Sequence, residues 1–151
     1  MKFGLIIILL SMNFSQNINF YNKDNESFAD VKTKDFTFTC RVGGMENDKG
    51  TIFLLHGFPE TSRMWNDFIK VLENEGYRII APDQRGYSKG ARPSKVSDYT
   101  IDKLTQDVID IANEFNIDKF HLVGHDWGSA VGWYIASNFS DRIITWSALS
   151  V

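Results

Sequence analysis

From residue 35 onward the chain falls into short apolar runs separated by amphipathic stretches. Residues 36–40 (FTFTC) alternate apolar and polar at a period of two, the mark of a half-buried strand, and Gly43-Gly44 ends it. Residues 51–55 (TIFLL) and 78–81 (RIIA) are continuous runs of strand length, as expected of strands covered on both faces. Between them Trp65, Phe68, Ile69 and Leu72 recur at i, i+3, i+4 and i+7, which predicts a helix capped by Thr61 or Ser62 and stopped at Gly76. A loop follows from Pro82 to about Asp98. Thr100 then caps a helix that carries Ile101, Leu104, Val108, Ile111 and Phe115 on one face. Residues 120–123 predict a third buried strand, 127–138 a third helix and 143–151 a fourth strand. Such alternation predicts an α/β fold, a mostly parallel sheet with helices on both faces. Trp65, Phe68, Trp133 and Tyr134 read as core at helical spacing.

The N-terminal part is patterned differently. Lys2 precedes an apolar run from Phe3 to Leu10, the outline of a secretory signal peptide. The run is too short for a bilayer span, which needs about 20 apolar residues. Residues 16–34 are rich in Asn, Lys, Asp and Ser and show no clear period, so they read as a linker. The expected layout is a signal peptide over 1–15, a linker over 16–34 and a domain over 35–151. A functioning signal implies a secreted or periplasmic protein; without it the expectation is cytoplasmic or membrane-anchored.

Composition narrows the function. A chain of 151 residues has room for one domain. Sixteen Lys and Arg against 19 Asp and Glu give a net charge of −3, which argues against nucleic acid as a partner. The single cysteine, Cys40, excludes a disulfide framework, and with three histidines there is little for a metal cluster. No metal and no cofactor are expected.

The sharpest chemical signal is Gly124-His125-Asp126-Trp127-Gly128, between a predicted strand and a predicted helix. Its spacing is Gly-x-nucleophile-x-Gly, the pattern of a nucleophile elbow. A tight strand-to-helix turn strains its central residue and leaves no room for side chains two positions away, which Gly124 and Gly128 satisfy. Asp126 in that place is ionised at neutral pH without a base, since a free carboxyl titrates near ~3.9, and the start of the helix favours its charge. A carboxylate can displace a leaving group from saturated carbon and form an alkyl ester. Water attacking that ester creates an oxyanion that needs backbone donors. Trp127 N–H is one, and Phe58 N–H, from the loop after residues 51–55, is the expected second. Pro59 has no N–H and stiffens the turn. His56, Gly57, Pro59, Gly124, His125 and Gly128 are expected to support the site. Asp83 and Arg85 read as loop-fixing residues, and His121 as a core or edge histidine.

These residues resemble the α/β-hydrolase fold and, within it, the epoxide hydrolases. The resemblance rests on His56-Gly57-Phe58-Pro59-Glu60, on Pro82-Asp83-Gln84-Arg85-Gly86-Tyr87-Ser88 and on Gly124-His125-Asp126-Trp127-Gly128, in family order over residues 36–151. It implies that Asp126 is the nucleophile, that Phe58 and Trp127 form the oxyanion hole and that the substrate is a small electrophile, an epoxide or a haloalkane. Haloalkane dehalogenases, the alternative, usually carry Asn at the place of Phe58. Family members continue into a helical cap, whose tyrosines protonate the epoxide oxygen, and then an acid and a histidine. None of His56, His121 and His125 matches that histidine. The chain therefore reads as a partial α/β-hydrolase fold lacking the cap and C-terminal strands, inactive alone. A further alternative is a non-catalytic association module. The strand at 143–149 is expected to be an exposed sheet edge that favours oligomers or aggregates.

Overall fold

The computed structural model describes residues 15–150, so the signal-peptide reading of residues 1–15 lies almost wholly outside the described residues. Among the described residues no helix is long and apolar enough to cross a membrane. The strands are β1 (Ile18–Lys23), β2 (Glu26–Lys32), β3 (Thr37–Gly43), β4 (Thr51–Leu55), β5 (Arg78–Pro82), β6 (Phe120–His125) and β7 (Ile143–Leu149). The helices are α1 (Asn66–Asn74), α2 (Ile101–Glu114) and α3 (Trp127–Asn138). All seven strands form one sheet in the order β1-β2-β3-β5-β4-β6-β7. The first three strands and the β3–β5 pair run antiparallel, whereas β5-β4-β6-β7 is parallel.

The continuous apolar runs are explained by two cores, one on each face of the sheet. Successive residues of a strand point to opposite faces, so Phe53, Leu55 and Ile80 enter one core and Ile52, Leu54, Ile79 and Ala81 the other. The first core is closed by Val108, Ile111, Ala112 and Phe115 of α2 and by Val131 and Ile135 of α3. The second is closed by Trp65 and Ile69. A strand covered on both sides cannot alternate, which is why β4 is buried at all five positions.

Three expectations need correction. Residues 16–34 are not a linker: β1 and β2 form a hairpin paired from Ile18↔Val31 to Lys23↔Glu26 and joined to β3. The turn residues Asp24 and Asn25 both have positive φ (52° and 61°), the conformation of a two-residue hairpin loop. Phe28, Ala29 and Val31 bury the inner side of β2, while β1 is an outer strand with Ile18 packed at the core margin and Phe20 exposed. Phe68 is 51% exposed. A 3₁₀ turn at Ser62–Trp65 precedes α1, and its three residues per turn shift the register, so Phe68 meets only the edge of the Trp65 ring. Trp133 is 54% exposed, because α3 faces the sheet with Gly128, Val131, Gly132 and Ile135.

Candidate active site

β6 ends at His125 and α3 begins at Trp127, leaving Asp126 alone to turn the chain. Its φ of 54° and ψ of −120° form a conformation that residues other than glycine rarely adopt. Local bonds hold it there. Ser129 and Ala130 N–H donate to the Asp126 carbonyl at 2.8 and 3.2 Å, and the Ser129 hydroxyl donates to the Gly124 carbonyl at 2.7 Å.

The two glycines are required by close approach. A methyl group on Gly124 would stand 2.5 Å from the Gly128 carbonyl oxygen. One on Gly128 would stand 2.7 Å from the His56 carbonyl oxygen and nearer still to that of Leu55. The first turn of α3 therefore lies directly against the end of β4. That contact brings the loop after β4 to Asp126. Phe58 N–H donates to Asp126 Oδ1 at 2.7 Å, beside a cis Phe58–Pro59 peptide, and Gly57 packs against the Asp126 side chain.

These donors set the charge of the site. The Phe58 amide, then the Trp127 amide, hold the Asp126 carboxyl below its ordinary range, with a smaller contribution from His125. The carboxylate is thus ionised and open to solvent on its remaining side.

His56 is buried and joins two loops. Its Nε2 lies 3.0 Å from the Gln84 N–H, which can only donate, so Nε2 accepts. Nδ1 then carries the proton toward the Gly57 carbonyl at 2.9 Å. Burial pushes the His56 pKa down and favours this neutral form. His121 is at the opposite end of β6, about 16 Å from Asp126 at ~3.3 Å per residue; its Nδ1 lies 2.8 Å from Thr145 Oγ1. His125 is half-buried, and its Nδ1 has no hydrogen-bond partner among the described residues.

Asp83 and Arg85 do not pair with each other. Asp83 accepts from Ser62 N–H at 2.8 Å. Arg85 forms a two-pronged pair with Asp107 at 2.8 and 2.6 Å and donates to the Asp98 carbonyl. Asp107 went unnoticed in the sequence, where it stands among the polar residues of an amphipathic helix. Beside the turn is a cleft of about 330 Å³, lined in part by His56, Phe58, Tyr87, Tyr99 and Trp127. Its size is that of a small-molecule site. Phe58 and Trp127 are 69% and 60% exposed at its rim. Among the described residues no group of three or more His, Cys, Asp or Glu side chains could hold a metal ion.

Residues 50–144 match the sequence model of a family described as the alpha/beta hydrolase fold. The chain is 45% identical over 107 residues to the AB hydrolase superfamily protein YfhM of Bacillus subtilis, covering 71% of this chain and 37% of that protein. It is 39% identical over 100 residues to Epoxide hydrolase A of Mycobacterium tuberculosis, covering 66% and 31%. Among solved structures, an epoxide hydrolase from Vigna radiata superposes with a TM-score of 0.76 at 30% identity, covering 89% of this chain and 40% of that one. Epoxide Hydrolase A from Mycobacterium thermoresistibile gives 0.77 at 32% identity, covering 83% and 39%. The chain spans between 31% and 40% of the length of these proteins. Three of the four are named epoxide hydrolases, so the haloalkane reading is not favoured.

Proposed function

This chain belongs to the α/β-hydrolase fold family, and from that premise we propose that it carries the nucleophilic side of an epoxide-hydrolase-like reaction, with Asp126 as the attacking group. The observation that supports this most directly is the 2.7 Å bond from Phe58 N–H to Asp126 Oδ1 across 68 residues of sequence. A carboxylate that served only to cap α3 would bond the amides of its own helix. This one makes no hydrogen-bonded side-chain cap to α3, and although the Trp127 amide adds to its stabilisation, the larger contribution comes from Phe58 in the loop after β4.

With Oδ1 engaged, Oδ2 is the oxygen free to react. Its lone pair forms a bond to an epoxide carbon while the C–O bond of the ring breaks. That electron pair passes to the ring oxygen, which takes up a proton. The product is a hydroxyalkyl ester of Asp126. Water attacking the ester carbonyl would place negative charge on Oδ1, where the Phe58 and Trp127 amides serve as the oxyanion hole. Collapse releases a diol and restores the carboxylate. The donors for both stages are already in place; the second stage also needs a base to take a proton from the attacking water.

The test is intact-mass spectrometry of the chain after incubation with styrene oxide. One adduct is expected, mapping to Asp126 and lost in Asp126→Asn. An unmodified mass overturns the proposal and favours a non-catalytic association module.

A further inference from the structure

The amide that holds Asp126 is itself held from behind. Phe58 N–H donates to Asp126 Oδ1 at 2.7 Å, and the other end of the same peptide is the Gly57 carbonyl. A peptide unit is planar and rigid, so whatever fixes that carbonyl also aims the N–H. Two donors reach it: Glu60 N–H at 3.1 Å, local to the turn, and the ring of His56, whose Nδ1 lies at 2.9 Å. The ring is placed in turn by the loop after β5. Gln84 N–H donates to His56 Nε2 at 3.0 Å, and the Gln84 side-chain amide donates to the His56 carbonyl. His56 is fully buried, with the edge of the Tyr87 ring against it at 4.6 Å between centroids. The donors therefore all point one way. Gln84 N–H gives to His56 Nε2, His56 Nδ1–H to the Gly57 carbonyl, and Phe58 N–H to the carboxylate.

We propose that His56 is a positioning residue for the nucleophile: its Nδ1–H tautomer, selected by Gln84, aims the Phe58 amide at Asp126 Oδ1 through the Gly57–Phe58 peptide. The inference rests on the reading of Asp126 as nucleophile and assigns what directs its principal donor. His56 gives up no proton and touches no reacting atom. Its ring keeps the peptide from turning, and bonds aligned in this way polarise one another, strengthening each by about 10–30%. The other neutral tautomer fails at both nitrogens. Nε2–H would face Gln84 N–H, and the bare Nδ1 would face the Gly57 carbonyl oxygen. Burial disfavours the doubly protonated ring, against the opposing pull of the Gly57 carbonyl and of the Asp83 and Glu60 charges. At the far end of the relay the Phe58 and Trp127 amides, with the smaller effect of His125, hold the Asp126 carboxyl below its ordinary range. Without the His56 donor, Asp126 loses part of that stabilisation along with its aim.

The test has two readouts on the full chain. Nitrogen NMR of wild type carrying isotopically labelled histidine should show His56 Nδ1 protonated and Nε2 bare at neutral pH. The Nε2–H tautomer overturns the proposal without any variant. The second readout is the pH profile of Asp126 alkylation by 1-bromohexane, whose bromide leaves without an acid, followed by intact mass. His56→Leu removes both ring nitrogens. Its midpoint should rise toward the ordinary carboxylate value, and its rate above that midpoint should fall about 10²-fold, the cost of a misplacement near 1 Å. His56→Asn keeps a donor at the place of Nδ1 and should restore the wild-type midpoint. A role in packing alone would lower the thermal stability of both variants and leave the midpoint where it was. An unmoved midpoint in folded His56→Leu, or an equal rise in His56→Asn, overturns the proposal. Should His56→Leu not fold, the wild-type tautomer and the His56→Asn profile decide. A wild-type chain left unalkylated refutes the nucleophile reading itself, whereas an alkylated one with the Nε2–H tautomer refutes only the role of His56.

Discussion

Substitution of Gly57 by alanine isolates the contact between the β4 loop and Asp126. The φ of Gly57 is not in the left-handed region, so the backbone accepts alanine without strain of its own. The added methyl would stand 2.8 Å from Asp126 Cγ and closer to its Cβ and Oδ1. Carbon atoms settle at about 3.5–4.0 Å, so the two side chains must separate by at least about 0.7 Å. Added to the 2.7 Å bond from Phe58 N–H, that displacement gives about 3.4 Å, beyond the range of a good N–H···O bond. Misplacement of a reacting group by about 1 Å can cost about 10²-fold in rate. Gly57→Ala is therefore expected to alkylate with styrene oxide about 10²-fold more slowly than wild type, while its circular dichroism stays native. The assay is a time course of intact mass. A well-folded Gly57→Ala chain that reacts within about threefold of wild type would refute the reasoning, because the Phe58 donor would then be irrelevant to the attack.

Alkylation of Asp126 by 1-bromohexane should hold its rate as the pH falls through the ordinary carboxylate range near ~3.9. It should decline only below that, because the Phe58 and Trp127 amides lower the Asp126 pKa and keep the reactive anion present at lower pH; a midpoint above the ordinary value contradicts this. Arg85→Ala strands the buried Asp107 carboxylate, and urea denaturation should report a loss of about 3–5 kcal/mol; an unchanged midpoint would make the pair ornamental to stability. β7 contains no charged residue and exposes Ile144 and Leu149 at a sheet edge, whereas β1 at the other edge carries Lys23. Sedimentation should show self-association that Ile144→Lys reduces, and a monomeric wild type counts against it. The Asp126 ester should outlast removal of styrene oxide by hours, and return of the native mass with diol production would exclude such a stall.

Elements were legible in the sequence wherever burial imposed a period. Buried runs such as residues 51–55 and the face of α2 from Val108 to Phe115 stand out because two cores consume them. The turn at Asp126 was legible for a different reason: close backbone approach admits only glycine at 124 and 128, and that steric demand leaves a spacing in the sequence. The β1–β2 hairpin was overlooked because its core contacts are few and split between two strands: Phe28, Ala29 and Val31 are buried on β2, and Ile18 packs at the core margin from β1. Its local signal was the Asp24-Asn25 pair, suited to positive φ. Long-range partners leave no such trace. Nothing in the order of residues joins Arg85 to Asp107.

On the proposed reading, the described residues supply what bond formation at Asp126 needs but not what release from it needs. Attack needs an ionised carboxylate and a donor holding the non-reacting oxygen, for which Asp126 and Phe58 are the proposed pair. Hydrolysis of the ester needs a base beside the water that attacks it; two of the three histidines are engaged elsewhere, and the third is enclosed at Nδ1. His56 Nε2 already accepts from Gln84, and its other nitrogen faces the Gly57 carbonyl. His121 is paired with Thr145 at the far end of β6. The side chain of His125 leaves β6 on the face shared with Val123, toward the core of Trp65 and Ile69, with Nδ1 enclosed. The amides of Phe58 and Trp127 can stabilise an oxyanion but cannot remove a proton from water. The strand order brings the end of β4, the loop after β5 and the end of β6 to one point, where the proposed nucleophile and its backbone donors stand together.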